Sequence, residues 1–213
     1  KANSGTVKLT AQNTFGNTKT LSLDNGTLDI SPASGTDPLD VKYIKLGYQT
    51  DDVTLKLSGS QNFTLDVVSG GNIEVRSTSG TKKIFNAQGD NTISAPVTLT
   101  ASLTEEVASG TVLTHSGAIG SGGGVTKTGD GTLALGAANT DTGDTAIQAG
   151  TLRLTANDCL SDSTLVNVSG GATFDMNEFY DKVKGLIGAG NVYVGTGGGD
   201  RLRVGGDNPD QTY

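Results

Sequence analysis

The sequence predicts an all-β chain wound into a parallel β-solenoid with coils of roughly 20 residues. Three observations carry this. Hydrophobic residues are only 34% of the 213, aromatics 5%, and Trp is absent, so a wide globular interior cannot be filled. A thin apolar strip shared between stacked coils can be. The 32 glycines come with four prolines and no Gly-X-Y period, which asks for many tight turns and excludes collagen. Finally, one short pattern keeps returning: Gly, a small polar residue, then alternating apolar residues. Charged residues at 17%, with abundant Thr and Val, argue against disorder.

The pattern begins at Gly5-Thr6-Val7-Lys8-Leu9 and returns at Gly26-Thr27-Leu28-Asp29-Ile30 and Gly71-Asn72-Ile73-Glu74-Val75. It continues at Gly110-Thr111-Val112-Leu113, Gly131-Thr132-Leu133-Ala134-Leu135 and Gly150-Thr151-Leu152-Arg153-Leu154. Gly171-Ala172-Thr173-Phe174 and Gly190-Asn191-Val192-Tyr193 close the series. The intervals are 21 from Gly5 to Gly26, then 21, 19, 21 and 19 from Gly110 to Gly190. The gaps of 45 and 39 on either side of Gly71 read as double periods. Such a period is too short for a propeller blade or a helical repeat and fits one solenoid coil. Within each strand one face points inward, as Leu152 and Leu154 do around Arg153. Small residues at the turns, Ala149, Ala172 and Ala189, are expected inside the corners.

Gly26, Gly131, Gly150, Gly171 and Gly190 are therefore the predicted repeat turns. A second register follows: Asn13 lies eight residues after Gly5, Asn139 eight after Gly131 and Asn208 eight after Asp200. Asn bonds neighbouring backbone and tolerates positive φ, so a stacked Asn ladder at one corner is expected. Residues 1–213 read as a single array, less regular at 32–60, where Pro32 and Pro38 mark a loop or inserted turn. Gly120–Gly124 reads as a turn rather than a linker, because the pattern resumes at once. Asn177–Leu186 is the only stretch considered for helix, and Val183 and Leu186 are instead expected to face a coil interior.

Gly124-Val125-Thr126-Lys127-Thr128-Gly129-Asp130-Gly131-Thr132-Leu133-Ala134-Leu135, followed by Asn139-Thr140 and Gly150-Thr151-Leu152-Arg153-Leu154, resembles the autotransporter-associated β-strand repeat of bacterial passenger domains. Ser169–Asn177 and Gly185–Gly190 are similar to the stretch that usually comes next. The resemblance covers about a third of the chain, through residue 196, and is weaker over 1–120. It implies a right-handed β-helix exposed at a bacterial surface, extracellular or on the outer face of the cell. The family's membrane-spanning barrel is absent from the sequence, and Asp141 stands where an aromatic is common, which weakens one stacking contact.

Function is bounded by what the residues can do. A net charge of −7, pI about 4.6 and scattered Lys and Arg offer no basic stripe, so no nucleic-acid partner is expected. No run of ~18 apolar residues exists, so this segment is not expected to insert in a membrane as a helix. Glycoside hydrolysis needs two converging carboxylates. Asp51-Asp52, Glu105-Glu106 and Asp200, Asp207 and Asp210 are the candidates, but adjacent carboxylates on a strand point to opposite faces. His115, the only histidine, lacks a triad context or second imidazole and is expected on the surface or partly buried. Cys159 reads as a small buried hydrophobe, with a crosslinking thiol the alternative. Gly197–Leu202 is similar to a Ca²⁺-binding nonapeptide but occurs once and lacks its Gly-to-Asp spacing. Gly120–Gly124 lacks the Lys-Ser/Thr of a phosphate loop.

No catalytic, cofactor or metal residue is thus assigned. The expected role is structural or adhesive, with further repeats, other copies, a host surface or matrix as partners. A filament, sheath or surface-layer subunit and a polysaccharide-degrading enzyme are the alternatives. Arg201-Leu202-Arg203-Val204 resembles the start of another coil that stops midway, so Thr212 and Tyr213 are expected to make the axial contact of a fragment or assembly subunit.

Overall fold

A computed structural model describes residues 5–10, 13–14, 18–33, 39–47, 52–76, 79–197 and 202–205. Among these, every regular element is a strand and every strand pairing is parallel. The chain is a β-solenoid. Nine successive strands stack on its first face: Thr6–Leu9, Gly26–Ile30, Val53–Leu57, Lys82–Asn86, Leu103–Val107, Val125–Thr128, Thr145–Ile147, Leu165–Val168 and Gly185–Gly188. Between each pair the chain visits a second and a third side and returns one layer further on. Seven strands, from Thr64–Leu65 to Asn191–Tyr193, form the second face, and six, from Thr20–Leu23 to Thr140–Asp141, form the third. Two-stranded pairs, Asn13–Thr14 with Leu39–Asp40 and Asp181–Val183 with Leu202–Val204, complete the winding.

Register fixes the coil length. Leu103 lies opposite Val125, Val125 opposite Thr145, Thr145 opposite Val166 and Val166 opposite Leu186, giving coils of 20 to 22 residues. The earlier coils are longer: 27 residues from Gly26 to Val53 and 29 from Val53 to Lys82. The irregular stretch at 32–60 falls here, and the extra residues lie in the connections, since the first-face strands stay paired through it. The apparent double periods around Gly71 have a different cause. Gly71 precedes a third-face strand, Gly26 is the first residue of a first-face strand, and Gly110, Gly131, Gly150, Gly171 and Gly190 precede second-face strands. The pattern recurs at different corners because each corner poses the same problem, so these glycines do not form one column.

Alternation builds the interior. On the second face Leu113, Leu133, Leu152 and Phe174 stack in register and are all fully buried, while Arg153 between Leu152 and Leu154 points out. On the third face Ile44, Ile73, Val97 and Ile119 do the same. Truncating one of these leucines to Ala removes contacts to coils above and below and costs about 2–5 kcal/mol. No helix forms at 177–186: Asp181–Val183 is a strand with Val183 buried, and Leu186 is half-buried. Of the three corner alanines, only Ala172 is buried; Ala149 is half-buried and Ala189 exposed. The turn of Ala172 faces the interior, whereas the other two sit on outward shoulders.

One turn type, used at two corners, shows what the glycines do. The amides of Gly71, Thr111 and Ala172 donate to the carbonyls of Val68, Ala108 and Ser169, three residues earlier. In each turn the third residue is a glycine with positive φ: Gly70 at 76°, Gly110 at 76° and Gly171 at 87°. An L side chain there pays a left-handed penalty. Gly131 has another reason. It is not left-handed, but a Cβ would lie 2.2 Å from the Ala108 carbonyl oxygen of the preceding coil.

These two causes separate experimentally. Gly171→Ala, with open space around its Cβ, is expected to cost about 1–2 kcal/mol from φ alone. Gly131→Ala is expected to cost more, because backbone must move, and Gly170→Ala to stay within ~0.5 kcal/mol. Chemical unfolding of the three variants checks the order.

Candidate functional site

The sequence-predicted turn glycines separate by cause. Gly26 (φ 85°), Gly150 (65°) and Gly171 (87°) have positive φ. Gly131 and Gly190 do not; a Cβ at Gly190 would sit 2.4 Å from the Ser169 carbonyl oxygen. Asn13 opens the strand Asn13–Thr14, the second segment of its coil, whereas Asn139 immediately precedes a third-face strand. They share no column, so the expected Asn ladder does not form between them. Asn208, Thr212, Tyr213, Asp51, Asp200, Asp207 and Asp210 lie outside the described residues.

A different polar device recurs. Asn139 Oδ1 accepts the Ile119 amide of the preceding coil at 2.8 Å, and Asp181 Oδ2 accepts that of Leu160 at 2.9 Å. Asn91 Oδ1 takes the Phe63 amide at 3.0 Å, Asp90 Oδ1 that of Val112 at 2.8 Å and Asn157 Oδ1 that of Tyr180 at 3.0 Å. Each side chain supplies an acceptor that no strand ladder provides, and at Ile119, Leu160 and Phe63, where the bond is buried, it keeps the amide from being orphaned. Asn91 also donates to Asn86 Oδ1 at 2.7 Å and to the Gln88 carbonyl at 2.8 Å, tying a corner together within one coil.

The interior holds charge as well. Glu105 and Glu106 point to opposite faces, as adjacent strand residues must: Glu105 is fully buried, while Glu106 meets Lys83 Nζ at 2.6 Å on the surface. His115, expected on the surface or partly buried, is instead buried to 1% exposure, stacked between Ile93 and Leu135. Its parity along the strand matches that of Leu113, which fixes its direction inward. His115 Nε2 lies 3.0 Å from Glu105 Oε1 but out of line for a hydrogen bond. His115 Nδ1 and Glu105 Oε2 meet no hydrogen-bond partner among the described residues. Lys127, the register partner of Glu105, is also buried and donates to the carbonyls of Thr128, Gly129 and Ala149 at 2.8, 2.6 and 3.0 Å. Burial pushes its ammonium down to about 8, against the opposing pull of Asp130 and Glu105. Sealed among Ile84, Ile93, Leu135 and Ile147, this set offers no path for a glycan.

Asp52 Oδ1 accepts the Thr81 amide at 2.6 Å, a turn contact. Among the described residues no group of three or more His, Cys, Asp or Glu side chains is placed to hold a metal ion. Cys159 is fully buried, with Sγ 3.1 Å from the Leu135 carbonyl oxygen and 3.2 Å from that of Ala156. Burial raises its thiol above the ordinary range. Alkylating reagents are accordingly expected to leave Cys159 unmodified in the native chain and to label it fully in denaturant, as mass spectrometry would read; rapid native labelling would contradict the packing.

Asp141, on the last strand of the third face, is buried, and its Oδ2 has no hydrogen-bond partner among the described residues. Burial raises its carboxyl from 3.8 to about 6, and Asp181 is raised to about 6 for the same reason. Below the unfolded value both carboxyls are protonated in either state. As pH rises toward 6 the unfolded chain ionises while the folded chain resists, so stability is lost through that window. Asp141→Asn is expected to raise stability above pH 6 by on the order of 1–3 kcal/mol and to change it little below pH 4. Melting temperatures of both proteins across pH 3.5–8, an experimental range spanning ~4 units, give the test.

Residues 125–154 match the passenger-associated-transport-repeat family model. They span a complete coil: the first-face strand Val125–Thr128, the second-face strand Thr132–Leu135, the third-face strand Thr140–Asp141 and the next coil's Thr145–Ile147 and Thr151–Leu154. Together, this repeat and the β-solenoid fit an autotransporter passenger β-helix. No curated protein and no solved structure matches the chain.

Proposed function

We propose that this chain is a surface-exposed segment of a bacterial passenger whose role is structural or adhesive rather than catalytic, and whose coils stack axially on further repeats or further copies. The observation that carries the reading is the fate of the inward columns. Leu133, Leu152 and Phe174 are sealed, yet the next residue of that column, Val192, is 37% exposed. Beside it the fully buried Leu154 and Met176 are followed by Val194 at 39%. Ile187 and Tyr193 on the same terminal strands are exposed too, but on the outward side, opposite Asn167 and Asp175, and only the two valines continue the inward columns. Apolar side chains in core register and a parallel strand edge together suit one more coil.

The flanks support a rigid rod. Ion pairs link successive coils along its surface, Lys56 to Asp29 at 3.3 Å and Arg153 to Asp175 at 2.8 Å, each worth little alone but repeated along the axis. The buried state of Glu105 and His115 favours this reading over polysaccharide cleavage.

Sedimentation velocity and electron microscopy of the purified chain at rising concentration test the axial contact. End-to-end association that disappears in a Val192→Lys, Val194→Lys variant is expected. Rods that stay strictly monomeric at high concentration overturn stacking of copies, and reducing-sugar release from a glycan panel overturns the non-catalytic role.

A further inference from the structure

Stacked coils built on one pattern face a particular hazard. A slip of one residue turns every inward side chain to water and is forbidden, but a slip of two keeps the in-out sense. Across the coils starting at Leu103 and Val125, the apolar columns offer little resistance to such a slip: it exchanges one aliphatic side chain for another. We propose that Glu105, His115 and Lys127 are a register lock, an internal polar set in which the Glu105 carboxyl faces the Lys127 ammonium only when these two coils stack in the native alignment.

In native register Glu105 lies opposite Lys127, with Ile84 before it and Ile147 beyond. A two-residue slip sets the buried carboxylate against Val125 in one direction or Gly129 in the other, and leaves Lys127 facing an aliphatic neighbour. An unpaired buried charge costs far more than an aliphatic mismatch. His115 extends the constraint sideways, since its approach to Glu105 at 3.0 Å joins the second face to the first within one coil. Lys127 extends it forward, because its bond to the Ala149 carbonyl reaches the following coil. The lock also sits soon after the 29-residue coil that ends at Lys82, where coil length drops to between 21 and 22. That change of length is where alignment is least dictated by repetition. Stability is a poor explanation for the set, since buried ionic groups are often replaceable by apolar residues of similar volume without loss.

Crosslinking reads the register directly. Thr104 and Thr126 are outward-facing register partners, and Thr128 is two residues further along the same strand. Cysteines at the first pair sit about 4.8 Å apart. The pair at 104 and 128 is about 8 Å apart, beyond the ~7 Å a disulfide spans. Both pairs are placed in a Cys159→Ala background, refolded from denaturant and oxidised. With the lock intact, Thr104→Cys with Thr126→Cys is expected to crosslink nearly completely, and Thr104→Cys with Thr128→Cys to stay below a tenth of that. Glu105→Leu, His115→Leu and Lys127→Met together are expected to melt no lower than the parent, yet to raise the slipped crosslink at least threefold. Lys82→Met, which removes a buried charge outside the set, is expected to leave it unchanged. A slipped crosslink that stays at the parental level in the triple variant overturns the proposal, as does loss of the fold in that variant or an equal rise in Lys82→Met. The outcome is independent of whether the chain stacks on other copies.

Discussion

Hydrogen bonding between coils is the constraint on which everything else rests. On the first face the amides of Ser31, Ser58, Ala87 and Ala108 each donate to a carbonyl of the preceding coil, those of Leu9, Ile30, Leu57 and Asn86, extending the ladders past the strand ends. A coil removed from its neighbours would keep little besides its corner turns. Stability is therefore a nearest-neighbour property, and a defect is felt by the coil above and the coil below before it is felt anywhere else. Thin cross-section follows from the same fact: with only a few inward side chains per coil, the interior is a bundle of axial columns rather than a globular core.

Columns of this kind make polar intrusions costly and informative. Asn91, Asn139 and Asp181 earn their buried positions by accepting amides that no strand supplies a carbonyl for. Lys127 is satisfied by three carbonyls. Asp141, with one oxygen unmatched, and the Glu105–His115 contact are different, because their hydrogen bonding is incomplete. The first group explains itself as structure. The second group asks for a reason beyond stability.

Much of the architecture was legible in the residues. Spacing from Gly110 to Gly190 identifies five strands of one face, and the alternation of Leu152, Arg153 and Leu154 orients them. Gly71 was misaligned because third-face and second-face corners use the same turn chemistry, so a local motif cannot say which side of the coil it opens. The coil lengths of 27 and 29 were hidden for the same reason. Parity did carry the buried charges: Glu105 shares its side with Leu103 and Val107, Lys127 with Val125, and His115 with Leu113. What obscured them was the ordinary preference of charge for water, which a single strand cannot overrule and a stacked column can. The Asn ladder failed on topology, since an equal offset from two glycines means little when those glycines open different faces.

The long coils between Gly26 and Lys82 carry a consequence for how such a molecule changes over time. Their extra residues leave at the connections while the paired strands keep step with those before and after. Length is thus decoupled from winding. A solenoid with this property can acquire or lose a loop in one layer, and with it a new surface for recognition, without re-engineering its axis.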